Sequence, residues 1–199
     1  MSKEGENLVG VPNYPNWTTF SRNTISNQDL SRVVSYINIR LSQFYFSLKN
    51  DIFNHRDISC ISFFNYGSIF YLVNVYSDSS QTALKYLKDT EANTNNILII
   101  TGDLNIRNSI WDPSFLYHST CSDPLTDITN SINLCLSRLT NPVPTRYLDN
   151  QNNSNSVIHL MFLRQDLSEF NNHTIYPNIR YSSYLKMKVH GVGLDMHRV

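Results

Sequence analysis

The stretch ILIITGDLN, residues 97–105, decides the fold, because a short apolar run ends abruptly in polar residues. The four apolar residues 97–100 predict a buried strand. Polar side chains directly after such a strand point into the crevice where α/β sheets bind ligands. Asp103 and Asn105 lie two apart, on one side of an extended backbone, and could together hold an attacking water. The same Asp-x-Asn pattern is also typical of an ordinary turn.

Strands are predicted on both sides of this stretch. β-Branched and aromatic residues predict strands over 33–39, 58–64 and 69–76, and residues 65–68 (Asn-Tyr-Gly-Ser) predict a hairpin turn. Residues 157–162 predict a last strand, after an exposed loop over 149–156 that is rich in Asn, Gln and Ser.

Two helices separate these strands. The first is predicted to begin at a cap residue, Ser79 or Ser80, with three apolar residues on one face: Ala83, Leu84 and Leu87. Asp123 and Pro124 predict the start of the second, whose inward residues are Leu125, Ile128 and Ile132. Alternating strands and helices predict the α/β class with mixed sheets.

The composition predicts a single globular domain without a strong charge bias. The chain has 199 residues, and its 16 Lys and Arg balance 16 Asp and Glu. Dedicated nucleic-acid binders usually carry a basic excess, so any DNA surface here would be a local patch. Five arginines have aromatic residues nearby and could contact a DNA backbone or be scattered solvated charge: Arg22, Arg32, Arg40, Arg107 and Arg146.

The cysteine pattern supports neither a disulfide framework nor a zinc knuckle, because Cys60, Cys121 and Cys135 are scattered and form no CxxC pair. His118 and Cys121 have metal-compatible spacing but no second pair. No apolar run approaches the ~18 residues of a membrane span, and the first residues are polar, unlike a signal peptide. An intracellular location is expected, with the nucleus as one option.

The order of these motifs resembles the endonuclease/exonuclease/phosphatase family. The strand over 72–76, a helix, the stretch 97–105 and the pair Trp111-Asp112 are most similar to the endonuclease domains of LINE-like (non-LTR) retrotransposons. The similarity extends from about Val11 to Ser183 and is most specific over 102–112. It implies an α/β fold in which two mixed β-sheets form a sandwich flanked by helices, with DNA as the partner.

The resemblance also implies a reaction, the Mg²⁺-assisted hydrolysis of a phosphodiester, which nicks DNA and leaves a 3′-hydroxyl that primes reverse transcription. By resemblance Asp103 activates or positions the water and is a weak metal ligand, Asn105 supports it, and Tyr76 hydrogen-bonds the phosphate. Tyr76 read alone is more typical of a strand-end aromatic that packs on its neighbour. We expect Tyr76, Asp103 and Asn105 to converge at one end of the sheets.

The departures from the family pattern predict impaired catalysis. The family domain begins with a strand bearing Asn and a strand ending in a metal-binding Glu, and this chain starts after both, so N-terminal strands are expected to be missing. His159 stands where the family has an Asp, and it is expected to face the same cleft, with Val157 and Met161 on its side of the strand. Tyr184 and Leu185 stand where the closing Ser-Asp-His motif should continue.

Three segments are therefore expected: a loop-rich N-terminal part (1–31), a partial family domain (32–183) and an atypical tail (184–199). The tail contains no Ser, Asn or Pro, as a shifted reading frame would leave it. It also lacks the alternation expected of strands, which predicts an uncovered sheet and a loosely packed protein.

Three functional hypotheses remain open at this point. The chain is an impaired Mg²⁺-dependent DNA endonuclease domain, a non-catalytic remnant of one, or a phosphatase of the same family that acts on a small phosphoester. Fold membership alone does not decide among them.

Overall fold

The fold was analysed in a computed structural model. The structure describes residues 13–22, 31–65, 67–90, 96–112, 114–117, 122–131, 134–136, 156–165, 171–175, 184–189 and 192–197. From residue 171 onward it describes the backbone alone.

The described residues form eleven strands, two α-helices and one short 3₁₀ helix. In chain order these are β1 (Trp17–Phe20), β2 (Val34–Asn38), the 3₁₀ helix (Ile39–Phe44), β3 (Ser47–Leu48), β4 (Ile58–Asn65), β5 (Ser68–Tyr76), α1 (Thr82–Asp89), β6 (Ile97–Asp103), α2 (Asp123–Ser131), β7 (Leu134–Leu136), β8 (His159–Arg164), β9 (Asn171–Ile175), β10 (Tyr184–Val189) and β11 (Val192–His197).

The strands form two sheets that pack face to face. The six-stranded sheet has the order β3-β4-β5-β6-β8-β7 and is mixed, since β5 and β6 are parallel and the other neighbours antiparallel. The five-stranded sheet has the order β1-β2-β11-β10-β9, and its described pairs are all antiparallel. The sandwich expected from the resemblance is confirmed.

Alternation along the strands divides the core into two parts. Ile37 of the five-stranded sheet packs against Leu72, Ile99 and Met161 of the other sheet, which forms the core between the sheets. Residues one position along these strands point to the opposite face, which the helices cover. There α1 and α2 contribute Ala83, Leu84, Leu87, Leu125 and Ile128 to a second buried cluster.

Most predicted elements agree with the structure, and their ends differ. The strand predictions over 33–39, 58–64 and 69–76 are confirmed within a residue. Strand β6 continues past Ile100 to Asp103, and β8 begins at His159, two residues later than predicted. The start of α2 is confirmed, while Ile132 lies outside the described residues.

Three local predictions are wrong. The loop-rich segment 1–31 contains strand β1, which pairs with β2. Helix α1 is capped at Gln81, which has a left-handed φ of 55° and no side-chain cap, because the carboxylate of Asp78 instead accepts from the Ser80 N–H in a local turn. Val157 precedes β8 and packs on the helical side, whereas Met161 lies between the sheets.

The expectation that residues 184–199 supply no strands is also wrong. The backbone of β10 and β11 forms a hairpin, and β11 pairs with β2 from Leu194↔Ile37 to His197↔Val34. Strand β2 therefore has a neighbour on each side, β1 and β11, so the expected uncovered edge is absent there.

Two smaller features concern the cysteines and the helices. Cys60 is a buried free thiol, and burial raises its pKa to about 12. His118 and Cys121 lie outside the described residues.

Neither described helix is long and apolar enough to cross a membrane.

Candidate functional site

Tyr76, Asp103 and His159 form a row across three neighbouring strands at one end of the six-stranded sheet. In the parallel pair β5–β6, Tyr76 is in register with Asp103, and in the antiparallel pair β6–β8, Asp103 is in register with His159. His159 Nε2 lies 3.7 Å from Asp103 Oδ2, and the two side chains are 10% and 3% exposed. The backbone register thus brings Tyr76 and Asp103 to the same end of the sheet, and His159 lies beside Asp103.

This row lies on the face that looks toward the second sheet. Asn74 is two residues before Tyr76, so it shares that face, and its Nδ2 donates to Val34 O at 3.3 Å and to Ser35 Oγ at 3.1 Å. These hydrogen bonds join β5 to β2 directly below the row. The candidate site is therefore the crevice between the sheets, at the end where β2 begins.

Gly102 allows β5 and β6 to approach each other beside Asp103. Its φ is +147°, and a Cβ at this position would lie 1.8 Å from the carbonyl oxygen of Val75. A side chain cannot be accommodated there without moving a backbone strand. The glycine of the Gly-Asp-Leu-Asn sequence thus sets the distance between Asp103 and Tyr76.

Asn105 does not continue the extended strand, as the sequence-based argument assumed. Strand β6 ends at Asp103, and Asn105 has a left-handed φ of 49°, a conformation that Asn tolerates better than most residues. Its Nδ2 donates to Ser77 O at 2.8 Å, while Ser77 N–H donates to Asp103 O at 2.8 Å. Asn105 is therefore brought to the end of β5 beside Tyr76 through a turn, and its amide has a fixed orientation.

Arg32 packs over the ring of Tyr76 and binds two carboxylates. Its guanidinium binds Asp57 through two hydrogen bonds, at 2.6 and 2.5 Å, and Asp78 through one at 3.0 Å. The Arg32 Cζ also lies 4.6 Å from the centre of the Tyr76 ring. The hydrogen bond from Arg32 lowers the pKa of Asp78. Arg32 is thus a half-buried side chain with two carboxylate partners.

The other arginines considered for DNA binding differ in their surroundings. Arg22 donates to Asn54, Arg107 contacts Asp112, Arg40 is exposed, and Arg146 lies outside the described residues.

Asp112 ties the loop after Asn105 to the start of β8. This buried carboxylate accepts hydrogen bonds from Ser114, from the N–H of Val157 and from Arg107. Burial alone would raise the pKa of Asp112, but these hydrogen bonds outweigh it and the pKa lies below its usual value. Leu104 N–H donates to Ile158 O at 2.9 Å in the same region. Both contacts fix the segment that leads into His159.

Two buried hydroxyl groups lie on the same face, level with Asn74 and therefore two residues away from the row along the strands. Ser59 and Thr101 are opposite Asn74 on the neighbouring strands, at 0% and 1% exposure. Neither hydroxyl has a hydrogen-bond partner within the described part of the chain. Buried polar groups of this kind are usually satisfied by ordered water.

The donors at the site do not fit Mg²⁺. Among the described residues, no group of three or more His, Cys, Asp and Glu side chains is placed to hold a metal ion. Mg²⁺ takes oxygen ligands in octahedral geometry, usually one or two carboxylates with waters. Asp103 supplies one carboxylate, and its neighbour His159 is a nitrogen donor. No catalytic step is therefore assigned to Mg²⁺ in this chain.

The backbone of Tyr184 and Leu185 lies at the same end of the sandwich. Leu185 is in register with Met196, which is in register with Ser35, the residue that contacts Asn74 below the site. Tyr184 likewise reaches Val34 through His197. The position where the family pattern has its closing histidine is thus level with the site, two strands away from β2.

Asp57 and Asp78 were not identified from the sequence, although a signal for them exists. Both flank the predicted hairpin, Asp57 before β4 and Asp78 after β5. Because the two open ends of a hairpin are adjacent, residues at these positions meet opposite the turn.

Comparison with known proteins agrees with this arrangement. Residues 70–183, more than half of the chain, match the sequence profile of the family described as endonuclease-reverse transcriptase. The chain belongs to this family. The matched residues include the whole row of Tyr76, Asp103 and His159. No curated protein sequence matches the chain significantly.

Of the solved structures similar to this chain, one shows the same fold. The endonuclease domain of TRAS1, a telomere-specific non-LTR retrotransposon, has a TM-score of 0.62 at 12% identity, over 93% of this chain and 79% of that chain. A 3′-5′ exonuclease (NExo) from Neisseria meningitidis has a TM-score of 0.46 at 11% identity, over 78% and 70%. A beta toxin from Staphylococcus aureus, solved with bound magnesium ions, has a TM-score of 0.32 at 10% identity, over 71% and 57%.

Proposed function

We propose that this chain is a retrotransposon-type DNA endonuclease domain with a phosphodiester-hydrolysis site at the row of Tyr76, Asp103 and His159, and that its turnover is impaired. The observation that carries the proposal is the register of this row, which places three polar side chains side by side in the crevice between the sheets. The family match over 70–183 and the likeness to the TRAS1 endonuclease domain support it.

In this proposal Asp103 and Asn105 act on the attacking water, and Tyr76 binds the phosphate. The Asp103 carboxylate is the group that accepts a proton from the attacking water, since it is 3% exposed and directed into the crevice. Tyr76, held by Arg32, is the hydrogen-bond donor to the phosphate. Asn105 orients the same water, because its amide is fixed against Ser77 at the end of β5.

Impairment follows from what stands at the remaining positions. Leu185 cannot donate a hydrogen bond or carry a charge, so it cannot stabilise the negative charge that develops on a reacting phosphate. One such group contributes about 2.7–4 kcal/mol, or roughly 10²–10³ in rate. His159 replaces the aspartate that the family pattern uses to orient a histidine, so the orienting carboxylate is lost as well.

The test is the nicking of supercoiled plasmid by the full chain. The wild-type chain should nick at the level of an Asp103→Ala variant, because the charge-stabilising group is absent. A repaired variant that carries H159D, Y184D and L185H and is joined to an upstream segment with the family's metal-binding Glu should gain about 10²–10³ in rate. Asp103→Ala in the repaired background should remove that gain.

The outcomes separate the two parts of the proposal. Asp103-dependent nicking by the wild-type chain would show that the site is not impaired. A repaired variant that folds, as judged by circular dichroism, and yet nicks no faster would contradict the endonuclease assignment.

A further inference from the structure

We propose that Arg22, Arg32 and Arg56 form a basic cluster that binds the phosphate backbone of duplex DNA beside the candidate site. The inference rests on the proposed function, because it names the residues that hold the DNA substrate next to Tyr76. It is tested by DNA binding without cleavage, so the two can fail separately.

The basic cluster lies one strand beyond Tyr76 at the same end of the six-stranded sheet. Asp57 directly precedes β4, and the Tyr76 N–H donates to its carbonyl oxygen at 2.9 Å. Arg56 is the residue before Asp57. The guanidinium of Arg32 lies over the Tyr76 ring, with its Cζ 4.6 Å from the ring centre. Two members of the cluster are therefore next to the residue that is proposed to bind the phosphate.

The three arginines lie within electrostatic range of one imidazole, that of His55. Burial lowers the pKa of His55, and the charge of Asp57 raises it. The charges of all three arginines act in the lowering direction. Arg22 is joined to this loop by a hydrogen bond that it donates to Asn54, the residue before His55. The fold thus gathers three positive charges from two separate parts of the chain.

The most buried carboxylate in this region organises the basic cluster from beneath. Asp57 is 1% exposed, accepts two hydrogen bonds from Arg32 and lies 3.6 Å from Arg56 Nε. The side chains of Arg32 and Arg56 are 34% and 48% exposed, and Asp78, the second partner of Arg32, is 25% exposed. The more exposed groups are the positive ones, so the outer surface of the cluster attracts anions.

A DNA strand that crosses the site along the row of polar residues supplies phosphates to the basic cluster. Neighbouring strands of a sheet are roughly 5 Å apart, and each DNA strand has one phosphate about every 3.4 Å along the helix axis. A phosphate at Tyr76 therefore brings the next phosphates within reach of Arg32 and Arg56. Guanidinium groups suit this partner, because they can bind phosphate oxygens through two N–H donors at once.

The experiment measures the binding of the full chain to two duplex oligonucleotides of unrelated sequence, by fluorescence anisotropy over a series of salt concentrations. No divalent metal is added. Arg56→Ala and Arg22→Ala should each lower the slope of log K against log salt by about 1 and weaken binding roughly five- to ten-fold near 0.1 M salt. The losses should be equal on both duplexes, because phosphate contacts carry no sequence information. Arg56→Lys keeps the charge and should keep the slope.

Arg164 provides the matched control at the opposite end of the same sheet. Its Cζ lies 5.6 Å from the centre of the Phe70 ring, a contact of the same kind as that between Arg32 and Tyr76. Phe70 and Tyr76 are at opposite ends of β5, roughly 20 Å apart. Arg164→Ala removes one positive charge, as the cluster variants do, and should leave the slope unchanged. Circular dichroism checks that each variant is folded.

Equal losses in Arg56→Ala and Arg164→Ala would overturn the inference, as would an unchanged slope in Arg56→Ala. A loss confined to one duplex sequence, or a lost slope in a folded Arg56→Lys variant, would overturn it too. The proposed function can fail separately, since a repaired chain that never nicks DNA but binds it through Arg56 would leave the basic cluster standing. Nicking by a repaired chain whose DNA binding does not depend on Arg22 or Arg56 would do the reverse.

Discussion

Some single residues at this site determine the local backbone conformation and, through it, the positions of the polar groups. Gly102 lets β5 approach β6, and Asn105 turns the chain back so that its amide meets Ser77. An Asp-x-Asn sequence after a strand suggested either a water-binding pair or an ordinary turn. In this protein the turn at Asn105 is what brings its amide to the site.

Two substitutions separate the energetic effect of the left-handed conformation at residue 105 from that of the Asn105 hydrogen bond. Asn105→Gly keeps the conformation accessible and loses only the bond to Ser77, at a cost of about 1 kcal/mol. Asn105→Ala also loses the bond, and Ala tolerates the left-handed region less well than Gly or Asn, which adds about 1 kcal/mol. Urea unfolding of both variants measures the difference. Equal losses would show that the φ of residue 105 is not left-handed in solution.

Several residue positions at the site were predictable from the sequence because they depend on local pattern. The apolar run before Asp103 and the hairpin over 58–76 have local signals, and so their polar ends could be located. The pairing of Arg32 with Asp57 and Asp78 could not, because these residues are 25 and 46 positions away from the arginine. Such contacts arise only when the sheets are assembled.

At the scale of elements, the start of β8 is determined by hydrogen bonds to residues that lie outside the neighbouring strands' regular pairing. Val157 and Ile158 looked like strand residues because they are apolar and β-branched. Their backbone groups instead bond to Asp112 and Leu104, so the regular pairing begins at His159. Strand β1 was missed for a related reason, since four residues become a strand only by pairing with β2.

The loop between β6 and α2 should depend on the charge of Asp112. Asp112→Asn keeps the size of the side chain and weakens its hydrogen bonds to Arg107 and Val157, which should cost about 2–3 kcal/mol above pH 5. The pKa of Asp112 in the folded chain is lowered, so its contribution is complete above the unfolded value near 3.8 and is lost as pH falls below it. The stability gap between wild type and variant should therefore narrow below about pH 4.

Urea unfolding at a series of pH values measures this gap. A gap that widens below pH 4, or that is already absent at pH 7, would show that Asp112 does not hold the start of β8. Ser114→Ala is a milder control, because it removes one of the donors to Asp112 and leaves the contact with Val157 in place.

At the scale of the whole molecule, the two sheets depend on residues from both ends of the described chain. The five-stranded sheet places β11 between β2 and β10, so residues 192–197 cover the strand that carries Ser35 and Ile37. Ser35 contacts Asn74 below the site, and Ile37 belongs to the core between the sheets. The composition of residues 184–199 gave no sign of this, because pairing in the interior of a sheet depends on backbone hydrogen bonds as well as on side-chain pattern.

The role of β11 leads to a prediction for Leu194, which is in register with Ile37. Leu194→Pro removes a backbone donor from an interior strand and should lower the free energy of unfolding by about 2–4 kcal/mol. Leu194→Val keeps the donor and introduces a β-branched side chain, and its loss should stay near 1 kcal/mol. Urea unfolding gives both values, and hydrogen exchange at Tyr36 and Ile37 should accelerate in the proline variant alone. Unchanged stability and exchange in Leu194→Pro would mean that residues 192–197 do not pair with β2, as expected if this tail came from a shifted reading frame.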